Sequence, residues 1–248
     1  GRPLLRLTNG LVKSLKANAS VTAMHLSLSS ELHHYNIEEY EKESFVEIID
    51  ESKVLSQQIT TLFKPTNDID TDIVEVANKG DYDLLLVGVG QSMFEGSLLG
   101  KILGFTTKII NPDRLIDQVT GRKSLFENSP FDERTRHIVS RSTVPVGVLL
   151  DKDLERLDYV FIPIFTESDE FLFRYAQKLI SSSKSQVVIL DAASQIKKYP
   201  QIKESIRAIE QNAPNHISLL NERKIDKQFL KNQDIMLISF ESWKKLVD

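Results

Sequence analysis

Arg6 to Leu26, RLTNGLVKSLKANASVTAMHL, and Arg174 to Leu190, RYAQKLISSSKSQVVIL, read as one pattern written twice, a helix that runs into a strand. Arg6 aligns with Arg174, Leu11 with Leu179, Ser14 with Ser182 and Lys16 with Lys184, and a one-residue gap then brings the strands into line. Farther on, Asp83-Leu-Leu-Leu-Val matches Asp234-Ile-Met-Leu-Ile, again a short buried strand. A duplicated α/β unit is the simplest explanation of such self-similarity. The second copy has an opening strand, Tyr159 to Phe165 (YVFIPIF), ahead of its first helix. The first copy starts only a few residues before Arg6, so its first strand is expected upstream of Gly1. A sheet position left unpaired in this way would favour strand exchange or aggregation.

The elements between these anchors alternate. Arg2 to Ala17 carries leucines at helical spacing, and Val21 to Ser29 reads as a strand. Glu38 to Thr61 is expected to be one long helix, and Leu62 to Asn67 a short extended piece broken at Pro65. Asp70 to Lys79 is a helix with acids in its first turn and Gly80 as its stop. Leu84 to Gly88 is a continuous apolar run, as in parallel strands covered on both faces. Ser129-Pro-Phe-Asp-Glu opens a helix that runs to Arg141, because serine caps, proline suits the first position and the acids meet the dipole. Val144 to Leu150 is a strand, and Asp151 to Asp158 a charged linker. In the second copy, helices are expected over Ser168–Ser182, Tyr199–Ala213, Asp226–Lys231 and Glu241–Asp248. Strands are expected over Gln186–Asp191, His216–Leu220 and Asp234–Phe240. This alternation argues for parallel sheets with right-handed crossovers. Two domains follow, residues 1–150 and 151–248. An insertion at about 91–128 has no counterpart in the second copy, and excursions of about forty residues are usually functional or disordered.

Composition narrows the function. The 248 residues carry a net charge of −4 and no cysteine. The charge gives no sign of nucleic-acid binding or of attraction to anionic lipid. The absence of thiols removes disulfides, thiolate catalysis and thiolate metal sites, and fits a reducing compartment. No apolar run reaches the ~18 residues that a membrane span needs.

The order of elements, the stretch DYDLLLVGVGQSMFEGSLLGK (Asp81 to Lys101) and the stretch SPFDERTRHIVSRSTVPVGVLLDK (Ser129 to Lys152) resemble a known group. They are similar to the tandem universal-stress-protein-like domains (adenine nucleotide alpha hydrolase-like) at the cytosolic C-terminus of monovalent cation:proton antiporters of the second cation–proton antiporter family. Val144-Pro-Val-Gly-Val looks like the strand that closes the first sheet in that fold. The resemblance covers nearly the whole chain, with its specific part in Asp81 to Lys152. It implies a non-catalytic regulatory tail at the cytoplasmic face of the inner membrane, joined to an exchanger of Na⁺ or K⁺ for protons in the same polypeptide. It implies a homodimer as partner, and an adenine nucleotide as the ligand to look for.

Gly88, Gly90, Gly96 and Ser97 resemble the glycine-rich phosphate loop of ATP-binding universal stress proteins, G-x2-G-x9-G-[ST], although the spacing departs from it. Backbone N–H groups and a helix N-terminus suit anions, and glycine allows close approach. The plainer and favoured reading is a strand-end turn whose glycines serve geometry. In the second copy Ser239-Phe-Glu-Ser stands at the matching place without a glycine, and no nucleotide is expected there. Gly96, Gly100 and Gly104 recur every fourth residue, so on a helix they share one face. That face suits either a dimer or domain contact, or tight packing on the first sheet.

Other candidates read as structural. His33-His34 lacks companion ligands, and His25 suits a core or interface. The acids at 68, 70 and 72 lack the glycine turn and distal glutamate of a calcium loop. No nucleophile elbow or Walker motif occurs, so no catalytic or metal residue is expected. Two alternatives stand beside the antiporter tail. One is a free-standing tandem stress protein that binds ATP. The other is an α/β enzyme with its site near Gly88.

Overall fold

The computed structural model describes residues 1–89, 133–151, 154–220, 225 and 227–247. These fall into two compact units. One holds residues 1–9, 15–89 and 133–151, and the other residues 10–14 and those from 154 onward.

The chain opens on α1 (Arg2–Val12), whose residues up to Asn9 belong to the first unit and whose α-helix tightens into a 3-10 turn over Lys13–Asn18 rather than continuing to Ala17. Next come β1 (Thr22–Leu28), α2 (Ile37–Val54), β2 (Thr60–Thr66) and α3 (Ile69–Lys79). The unit closes with β3 (Leu85–Val89), α4 (Glu133–Arg141) and β4 (Val146–Leu150). Short polar side chains set the helix starts. Asn36 accepts from the Glu38 amide and Asp68 from the Thr71 amide, which satisfies donors that a first turn leaves open. The helix expected to reach Thr61 stops at Val54. Ser56 takes a left-handed φ of 52°, and β-branched Thr60 and Thr61 already belong to the strand. Pro65 does not break that strand. Among the described residues β2 pairs with β1 alone, and a proline on an edge strand forfeits no ladder bond.

Both strand pairs of this unit are parallel. β1 and β2 are in register from Thr22 and Thr60 to Leu28 and Thr66, and β3 and β4 from Leu85 and Val146 to Val89 and Leu150. Among the described residues the two pairs are separate two-stranded sheets.

Among the described residues the second unit has one four-stranded parallel sheet. Its elements are β5 (Tyr159–Ile164), a 3-10 turn at Glu167–Phe171, α5 (Leu172–Ser183) and β6 (Gln186–Asp191). Then come α6 (Gln195–Lys198), α7 (Pro200–Asn212), β7 (Ile217–Leu219), α8 (Lys227–Lys231), β8 (Ile235–Met236) and α9 (Phe240–Val247). The spatial order is β7-β6-β5-β8. The first unit's β2-β1 matches β7-β6 of this order and β3 matches β8, while β4 has no counterpart among the described strands of the second unit. α6 escaped the sequence reading because it spans a single turn, and β8 is shorter than the expected Asp234–Phe240.

The difference shows in burial. Val160, Ile162 and Ile164 of β5 and Ile189 of β6 are fully buried, as expected for parallel strands covered on both faces. In β1 only Ser27 is buried, and the other positions are half-buried.

Candidate functional site at the strand ends

In an open parallel sheet a ligand crevice forms beyond the carboxyl ends of the strands, where the strand order reverses. In the second unit the chain moves outward through β5, β6 and β7 and then crosses back to β8. The reversal therefore lies between β5 and β8.

Asp169 fills that point. It sits in the 3-10 turn after β5 and is fully buried. One carboxylate oxygen, Oδ2, accepts from the backbone N–H of Phe165 at 2.7 Å and of Thr166 at 3.0 Å. From the other strand end, the Ser242 hydroxyl lies 2.8 and 2.7 Å from the two oxygens, and the Ser239 hydroxyl donates to Oδ1. Ser239 also caps α9, since its Oγ accepts from the Ser242 amide at 3.0 Å. Two strand ends and one helix N-terminus thus converge on a single carboxylate. A hydroxyl network continues outward, from Thr166 to Ser168 at 2.8 Å and from Ser168 to Glu241 at 2.6 Å.

The sheet's other carboxylates also hold backbone. Asp191, at the end of β6, accepts from the amides of Gln195 and Ile196 at 2.7 and 2.9 Å. Asp234 accepts from the amides of Asp158 and Tyr159 at 2.8 and 2.9 Å.

In the first unit Gly88 lies inside β3, opposite Leu149, and its φ is not positive. A Cβ there would stand 3.3 Å from Leu4 Cδ1, so the missing side chain lets α1 lie close over the strand. Gly90, Gly96, Ser97, Gly100 and Gly104 lie outside the described residues, as do the insertion at 91–128 and the helix start at Ser129. At the end of β2, Lys64 Nζ is 2.9 Å from Asp72 Oδ1, and the Thr66 hydroxyl donates to Asp72 Oδ2. The lysine, then the threonine, hold the Asp72 carboxyl below its ordinary range, and Asp72 in turn raises Lys64. Hydrogen bonds from Thr71 lower Asp68.

His25 is half-buried on β1, among aromatic side chains. Its ring stacks on Phe63 at 5.9 Å, meets Tyr40 and Phe45 edge-on at 6.2 and 6.1 Å, and lies 3.0 Å from the Ser27 hydroxyl. Burial lowers its pKa. His33 and His34 sit exposed in a 3-10 turn. Among the described residues no group of three or more His, Asp or Glu could hold a metal ion. Among the same residues no helix is long and apolar enough to cross a membrane.

The residue that sequence reasoning missed is Asp169. Its signal was Thr166-Glu-Ser-Asp169, a capping-box pattern after an apolar strand.

Neither a family model nor a curated protein matches the chain. Among solved structures it is similar to a universal stress protein from Archaeoglobus fulgidus DSM 4304, with 12% identity and a TM-score of 0.48. That match covers 87% of this chain and 70% of the other. The likeness is one of mixed α/β architecture with parallel sheets, and it says nothing of an antiporter.

Proposed function

We propose that this chain is a non-catalytic regulatory module, the cytosolic tail of a Na⁺ or K⁺/proton antiporter, which senses a small ligand or couples two subunits. The observation that carries the non-catalytic part is the use of polar groups at the second unit's switch point. Asp169, Ser239 and Ser242 spend their hydrogen bonds on one another and on backbone, and the Thr166 hydroxyl meets that of Ser168. They do not form a pair of nucleophile and base aimed at a cleft. The enzyme alternative would instead need its reactive groups near Gly88, in the first unit.

The antiporter part rests on the residues of Asp81 to Lys152 that resemble such tails. In this reading, ion exchange is carried out by a membrane-embedded part of the same polypeptide. Any adenine nucleotide would bind in the first unit, near the end of β3, where the sequence resembles a phosphate loop.

Calorimetric titration with ATP, AMP, NAD and cyclic dinucleotides tests the ligand. Saturable binding that Gly96→Asp abolishes supports sensing by the first unit. No heat with any of them leaves coupling of subunits as the role. Slow hydrolysis of ATP by the purified chain would favour a free-standing stress protein and oppose the proposal.

A further inference from the structure

We infer that Asp169 is the resident anion of the second unit: its carboxylate holds the place that the anionic group of a ligand takes at a switch point, and so closes that crevice to phosphates. The inference stands apart from the antiporter assignment, because it rests only on the second sheet.

Three observations converge on it. First, the position is the reversal between β5 and β8, where open parallel sheets bind ligands. Second, the groups that meet there are those an oxyanion needs. They are two consecutive backbone N–H groups after one strand, and two hydroxyls from the first turn of the helix after the other. Helix N-termini and paired amides attract negative charge. Third, the group that answers them is a side chain of the chain itself, fully buried, with Oδ2 accepting from both strand ends and Oδ1 from the two serines.

The arrangement is chemically selective. A buried carboxylate is costly without hydrogen-bond partners, and four donors meet Asp169. A phosphate arriving at the same donors would have to displace the carboxylate and would meet its charge. Ser239-Phe-Glu-Ser is thus more than a loop without glycine. Its two serines are the donors, and glycine is unnecessary because no external group has to approach the backbone.

The test is chemical rescue in the full chain. Asp169→Gly removes the carboxylate and leaves the donors in place. Its thermal midpoint is expected to rise with added formate or inorganic phosphate above the rise given by chloride at equal ionic strength. The native chain is expected to show no such excess. In the native chain the amide resonances of Thr166 and Ser242 are expected to stay fixed as phosphate is added. Rescue of neither kind in a folded Asp169→Gly would overturn the inference and leave Asp169 as a plain cap. Saturable shifts of those two amides in the native chain would overturn it as well, and that measurement decides even if the glycine variant does not fold.

Discussion

Asp169 and Ser242 are 73 residues apart in sequence, and the Ser242 hydroxyl reaches both oxygens of the Asp169 carboxylate at 2.8 and 2.7 Å. Both residues are fully buried. The contact ties the exit of β5 to the first turn of α9, so it joins the first and last elements of the second unit. Asp169→Ala should therefore destabilise the chain by on the order of 3 kcal/mol, since several buried donors lose their acceptor together. Asp169→Asn should cost less, because the hydroxyls can turn to meet an amide. Urea unfolding followed by tryptophan fluorescence reads the effect directly, as the only tryptophan, Trp243, lies on α9.

Asp234 offers a milder comparison. It accepts two backbone amides at the start of β5, from Asp158 and Tyr159, both exposed. Water can replace an exposed acceptor, so Asp234→Ala should cost about 1 kcal/mol in the same unfolding measurement. A cost equal to that of Asp169→Ala would mean that burial is not what distinguishes the two.

Packing predicts a second contrast, between the two units. Ile162 on β5 is fully buried, whereas Met24 on β1 is half-buried. Ile162→Ala should lose roughly 2 to 5 kcal/mol through transfer and cavity terms, and Met24→Ala clearly less. Paired denaturation curves for the two variants check the difference.

The pH dependence has two arms. Burial lowers the pKa of His25 in the folded chain, so the unfolded chain takes up a proton that the folded chain resists. The stability from neutral His25 is complete above the unfolded value of about 6.5 and declines as pH falls from there toward the lower folded value. His25→Phe should flatten that part of a stability-against-pH curve. Asp72, held low by Lys64 and Thr66, acts at lower pH. Its contribution is present above the ordinary carboxylate range and is lost as pH falls through the depressed folded value. Added salt should weaken this second arm, because the Lys64 partner is near solvent.

The sequence carried the order of the strands well. β5, β6 and β3 are continuous apolar runs, and a run such as YVFIPI, buried on both faces, has few other uses. It carried the boundary after α2 poorly. Nothing in Glu51-Ser-Lys-Val-Leu-Ser forbids a helix, and the left-handed turn at Ser56 arises where the chain must reverse to bring Thr60 beside Thr22. Sequence also showed that Ser239-Phe-Glu-Ser lacks a phosphate loop's glycine. It could not show what stands there, because the partner comes from 70 residues away. A capping pattern predicts local contacts, and the long-range contact of the same carboxylate depends on the sheet order. The glycines at 90, 96, 100 and 104 remain readings of the sequence.

Exchange measured in everted membrane vesicles reads the proposed antiporter role. The parent polypeptide would be expressed in a host stripped of its own sodium and potassium exchangers, with and without these 248 residues. Cation-for-proton exchange is expected in both cases, with its dependence on pH or nucleotide altered when the residues are removed. A parent polypeptide that exchanges neither Na⁺ nor K⁺ for protons would overturn the proposed role.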